Sequence, residues 1–178
     1  MPRFFVCLWL FAGMAWAQAP AEKPGSDIFK PAVVAKAAPD AFKKDVGTLA
    51  SAVDGAVAAA IPNRGPFQND SAKTTYLDGY GLIVTIETAL EPPHNIFSAP
   101  KSAAETKTIM NQRLADIEER LQNVLKEKVG KLQSVGDMES VTIVVYLFNS
   151  NPDIPNFPSQ VVFTAKKNDP TRVTVVTP

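Results

Sequence analysis

The chain has 178 residues, 46% of them hydrophobic and 20% charged, with eighteen basic against eighteen acidic side chains. That balance leaves no positive excess to hold a nucleic acid and no strong field of either sign, and the length suits one domain rather than several. One histidine and one cysteine cannot furnish a His/Cys zinc site.

The amino terminus opens with Met1-Pro2-Arg3, a short positive stretch, and Phe4 to Trp16 follows without a charge. Ala15 and Ala17 place small residues at the two positions a signal peptidase reads. Residues 1–17 are therefore expected to be a signal peptide cut between Ala17 and Gln18. An apolar run of this length falls short of the ~20 residues of a spanning helix. Cys7 lies inside the run with no lipoprotein cleavage box before it, so lipidation is not expected. Cleavage removes Cys7 and Arg3, leaving a thiol-free chain of net charge −1. Such a chain has no disulfide and must rely on its core. The expected location is the periplasm or the medium, with no transmembrane segment in the mature, soluble protein.

Residues 18–39 are rich in Ala and Pro and read as a disordered tether. A first helix is predicted over 40–61, with Asp40 as N-cap and Phe42, Val46, Leu49, Val53, Val57 and Ile61 as one apolar stripe. Gly47 and Gly55 weaken it, so packing must hold it. A polar loop over 63–73 leads to a short strand over 74–78. Asp78-Gly79-Tyr80-Gly81 signals a turn. A second strand over 82–90 alternates, with Leu82, Val84, Ile86 and Leu90 on one face and Thr85 and Glu87 on the other.

Pro92-Pro93 ends that strand, and 91–101 is a connection. Ser102 and Glu105 form a capping box that opens a second helix over 102–133, with Asp116/Arg120 and Glu127/Lys131 as i,i+4 pairs on its wet side. Ser140–Phe148 is apolar on both faces and is placed centrally in a sheet. Gln160–Lys166 is the next strand, Asn168-Asp169-Pro170 a turn, and 172–176 a last strand. The fold class is α/β of the α+β type. Its expected form is two layers, a mixed, mostly antiparallel sheet of about five strands with two helices on one face, in the order α-β-β-α-β-β-β. The strand-helix-strand passage should be a right-handed crossover between parallel strands. Residues 40–178 form one globular domain.

Few residues suggest chemistry. Tyr76 and Tyr80 flank the turn and would suit a ligand-facing loop; a hairpin turn with tyrosines shielding the sheet edge is the plainer account. His94, beside Asn95 in a proline loop, lacks an evident acid and nucleophile. Asn149, Asn151 and Asp153 have the opening spacing of a calcium loop, but Ile154 and Gln160 stand where its Gly and Glu belong. That segment reads as a polar turn. Asn69-Asp70-Ser71 fits the glycosylation pattern, which matters only in a eukaryotic secretory route. No catalytic residue, metal site or cofactor is assigned.

The strings Tyr76-Leu77-Asp78-Gly79-Tyr80-Gly81, Leu82-Ile83-Val84-Thr85, Val141-Thr142-Ile143-Val144-Val145-Tyr146 and Thr164-Ala165-Lys166-Lys167-Asn168-Asp169 resemble a group of exported bacterial proteins without an established activity, over residues 40–170. The resemblance implies a cell-envelope setting and carries over no site residue. The expected function is non-enzymatic binding of an envelope protein through an uncovered sheet face or edge, with Tyr76, Tyr80, Glu87 and Lys166 as candidate contacts. The alternatives are a hydrolase or transferase gathering Asp78, Tyr80 and His94 in a pocket, and a small-ligand binder with a cavity between helix and sheet. Oligomeric state is not legible.

Overall fold

The computed structural model describes residues 39–62, 71–92, 101–149 and 151–177. Pro39, the last residue of the expected tether, is already helical, whereas the expected signal peptide, residues 18–38 of that tether, His94 and Asn69 lie outside the described residues. Within them the elements run α1 (Pro39–Ala60), β1 (Lys73–Leu77), β2 (Gly81–Ala89), α2 (Ala103–Lys128), one 3-10 turn (Val129–Lys131), β3 (Ser140–Phe148), β4 (Gln160–Lys166) and β5 (Asp169–Val176). The chain is α+β, in the order α-β-β-α-β-β-β.

The five strands lie in sequence order, β1-β2-β3-β4-β5. Only β2 and β3 run parallel, in a register that sets Val84 beside Ile143 and Glu87 beside Tyr146. The other pairings are antiparallel. The parallel pair requires a long return path, which α2 supplies. The central position goes to β3, the strand whose two faces are both apolar, because a sheet interior accepts β-branched residues on either side.

Alternation along each strand decides which side chains meet the helices. Val84, Ile143 and Phe163 form one row across β2, β3 and β4, and Ile86, Val145 and Val161 form the next. Against them pack Leu49, Val53 and Val57 from α1 and Met110, Ile117, Leu121 and Leu125 from α2, all fully buried. Each such side chain contributes roughly 1.5–3 kcal/mol on leaving water. The interface between helices and sheet is occupied by this core.

Two aspartates of α1 pin loops to that core. Asp45 is buried, and its Oδ2 accepts from the Gln133 amide at 2.6 Å, the Ser134 amide at 2.7 Å and the Ser134 hydroxyl at 2.8 Å. Asp54 Oδ1 accepts the Ala72 amide at 2.8 Å. Arg113 reaches from α2 to the carbonyls of Leu90 and Glu91, at 2.8 and 2.9 Å, fixing the end of β2; burial pushes its guanidinium below the ordinary value.

Several boundaries differ from expectation. The first helix begins at Pro39 rather than after an Asp40 cap, since the first helical position needs no amide donor. The capping box at Ser102 and Glu105 is present, but α2 tightens to 3-10 geometry at Val129. That change breaks the i,i+4 relation of Glu127 and Lys131. Asp116 accepts a hydrogen bond from Gln112 at 3.0 Å in place of an ion pair with Arg120.

The last strand starts three residues early. Lys167 and Asn168 alone make the turn, and Asp169 already pairs with Lys166. Between that pair and Thr164↔Thr174, β4 has only Ala165 whereas β5 has residues 170–173. Pro170 falls in this bulge on an edge strand, where a missing amide hydrogen breaks no ladder bond.

Candidate functional site

The β1–β2 turn is the best-defined local feature. The Tyr80 amide donates to the Leu77 carbonyl at 3.0 Å, and Gly79 sits at φ 75°, the pattern of a type II turn. Gly81 follows at φ 119°, and a Cβ there would fall on the Ser140 carbonyl oxygen. The Tyr80 carbonyl accepts the Ser140 amide at 2.8 Å. The turn is therefore locked to the start of β3, and both glycines are required by backbone geometry.

This lock sends the two candidate tyrosines to opposite sides of the sheet. Tyr76 pairs with Leu82, on the helix side. Its ring meets Phe42 of α1 edge-on, with centroids 5.9 Å apart, and its hydroxyl donates to Glu139 Oε1 at 2.7 Å. That hydrogen bond, then burial, then the negative charges of Glu139 and Asp78, push its phenol up to about 12. Tyr76 is a packing residue, and the two tyrosines do not share a surface; the local form is the hairpin turn of the plainer account.

Tyr80 instead serves the other face. Its hydroxyl is hydrogen-bonded to Thr142 Oγ1 at 2.8 Å, and Thr142 Oγ1 to Thr164 Oγ1 at 3.1 Å. Thr142 is only 5% exposed although its register places it on the side away from the helices, and Tyr80 is one of the side chains that meet it. This hydroxyl chain crosses β3 and β4 near the middle of the helix-free face.

The rest of that face follows from register. One row reads Thr75, Ile83, Thr142, Thr164, Thr174 and the next Lys73, Thr85, Val144, Val162, Val176. Beyond them Glu87, Tyr146 and Gln160 lie side by side, and Ala89 stands beside Phe148. Tyr146 is 45% exposed and Phe148 68%, unusual for large apolar side chains on the central strand. Glu87 and Lys166 share this face but lie near its opposite ends, Lys166 beside Ser140. Of the four candidate residues, the structure thus places Tyr80, Glu87 and Lys166 on one surface and Tyr76 behind it.

Tyr146 and Phe148 are the members that sequence reasoning left out. Their signal was present in the alternation of β3, where Thr142, Val144, Tyr146 and Phe148 share one side. For the enzymatic alternative, Asp78 is exposed in the turn and Tyr80 is engaged with Thr142, while His94 is outside the described residues. Among the described residues no group of three His, Cys, Asp or Glu side chains is placed to hold a metal.

Asn149 and Asn151 each turn a side-chain oxygen to an amide two residues on. Asn149 Oδ1 accepts the Asn151 amide at 3.0 Å, and Asn151 Oδ1 accepts the Asp153 amide at 3.0 Å. Two of the three side chains with the spacing of calcium ligands, Asn149 and Asn151, thus accept from the backbone. A groove of about 340 Å³ runs between α1 and α2, lined by Ala52, Gly55, Ala56 and Ala59 and by Arg120 and Glu127. It opens between the helices, not between helix and sheet.

No helix among the described residues is long and apolar enough to cross a membrane. Comparison with known proteins found no matching family, no matching curated protein and no matching solved structure.

Proposed function

We propose that the chain is an exported, non-enzymatic binding domain whose helix-free sheet face receives a protein of the cell envelope. The observation that carries this reading is the exposure of Tyr146 and Phe148 at the end of the central strand. Solvent-facing aromatic residues on a rigid strand offer large contact area at small entropic cost, the usual makeup of an interface anchor. Glu87 and Gln160 flank Tyr146 and supply a polar rim. Lys73 lies toward the Glu87 end and Lys166 pairs with Asp169, so the face is near-neutral. Its partner is therefore a surface of low charge with an apolar centre. The export half of the reading rests on Arg3, the uncharged stretch to Trp16, and the Ala15 and Ala17 pair.

Photo-crosslinking in intact cells tests it. A photoreactive residue in place of Phe148 should give one defined adduct with an envelope protein, weakened by Tyr146→Ser. The same residue in place of Lys44, on the exposed side of α1, should give none. Adducts equally strong from both positions, or from neither, would overturn the binding reading. A chain that keeps Met1 and stays in the cytosol would overturn export.

A further inference from the structure

The two edges of the sheet are not protected alike. The strand β1 has five residues and carries exposed Lys73, a combination that discourages further pairing. At the other edge, β5 shields its first half with Pro170 and the bulge, but Val173–Val176 carries neither a proline nor a charge. Its alternation is regular, with Val173 and Val175 half-buried toward the helices and Thr174 and Val176 exposed. Val173 and Val175 therefore belong to a core that stops at an edge where, among the described residues, no further strand pairs.

The helix above this edge has a matching pattern. On α2, Arg120, Asn123, Val124 and Glu127 face α1 across the groove. By helical periodicity the opposite flank, over β5, presents Ala115, Glu118, Gln122 and Lys126. Glu118 and Lys126 stand symmetrically about Gln122, four residues on either side. The level of Gln122 follows from Gly130, where a Cβ would rest 3.5 Å from the Pro170 ring. Returning from Gly130 to Gln122 along α2 covers ~12 Å. Advancing from Pro170 to Thr174 along β5, which runs antiparallel to α2, covers ~13 Å or somewhat less through the bulge. Gln122 thus lies level with Thr174.

We propose that this edge pairs with a second copy of the chain, β5 against β5 antiparallel, about a two-fold axis passing by Thr174 and Gln122. One axis then satisfies two layers. In the sheet, Val173 meets Val175 of the second copy, Thr174 meets Thr174, and Arg172 meets Val176, so no like charges oppose one another. In the helix layer, the two α2 helices run antiparallel and Glu118 faces Lys126 of the second copy, twice over. The product is a continuous ten-stranded sheet that extends the apolar core across the join. This assembly uses neither Tyr146 nor Phe148, so it stands or falls separately from the open-face reading.

Sedimentation of the purified protein across a wide concentration range tests it. The protein should be dimeric, and Lys126→Glu, which sets like charges opposite at both helix contacts, should raise the dimer Kd about tenfold or more. Combining Glu118→Lys with Lys126→Glu should restore most of that loss. Thr174→Lys should give a folded monomer, with native circular dichroism and a melt that no longer depends on protein concentration. A protein that is monomeric at every concentration, or a dimer whose Kd is the same in all these variants, would overturn the proposal. The double charge exchange keeps the test decisive even if Thr174→Lys proves unstable.

Discussion

At the residue scale, the structure depends on a few side chains or hydrogens that admit no substitute. Gly81 is one, because its positive φ and the adjacent Ser140 carbonyl leave no room for a Cβ. Gly81→Ala should cost about 3 kcal/mol or more, read from urea unfolding, since both backbone strain and a steric clash apply. Asp45 is another. Removing its carboxylate leaves two amides and a hydroxyl without an acceptor, so Asp45→Ala should cost roughly 2–4 kcal/mol. Tyr76 gives a pH signature. Its phenol is raised from 10.0 to about 12 in the folded state, so the protonated form is favoured by folding. That contribution is full below pH 10 and is lost as pH rises through the interval to 12. The unfolding midpoint of the parent chain should fall more steeply over this interval than that of Tyr76→Phe.

At the scale of elements, the sequence was legible wherever one periodicity ruled. The strands β3 and β4 begin and end where alternation predicts, and α2 begins at its capping box. What escaped was decided by contacts distant in the chain. Pro170 could join β5 because the bulge lies at an edge, and nothing local to Pro170 announces an edge. The separation of Tyr76 from Tyr80 came from the turn being locked to Ser140, sixty residues on. Asp45 follows the apolar stripe of α1 four residues before Leu49, a hint of burial, but its partners at 133 and 134 could not be read. Gly55 offers a test at this scale. A Cβ there meets nothing within 4 Å, so Gly55→Ala should stabilise the protein by about 0.5–1 kcal/mol through helix propensity alone.

At the scale of the whole molecule, the two helices among the described residues cover one face of a five-stranded sheet, and the central aromatic residues of the other face are exposed. A side chain kept for stability would not be left 68% exposed, as Phe148 is. Phe148→Ser should therefore shift unfolding by no more than about 0.5 kcal/mol while removing the anchor of the proposed contact. The proposed export would make this surface accessible to partners beyond the membrane. Cys7 is the only cysteine of the sequence, so if the proposed leader is removed, cysteine labelling reports only on installed positions.

In a leader-cleaved chain the absence of native thiols permits the most direct measurement. Glu87→Cys, exposed beside Tyr146 on the open face, and Lys44→Cys would each be treated with a membrane-impermeant maleimide, in intact cells with a permeabilised outer layer and again after purification. An exported domain with a covered sheet face predicts fast labelling at position 44 in both settings, and labelling at position 87 that is slow in cells and fast once purified. Equal rates at the two positions in cells, or no labelling at either until the cells are broken, would contradict the account.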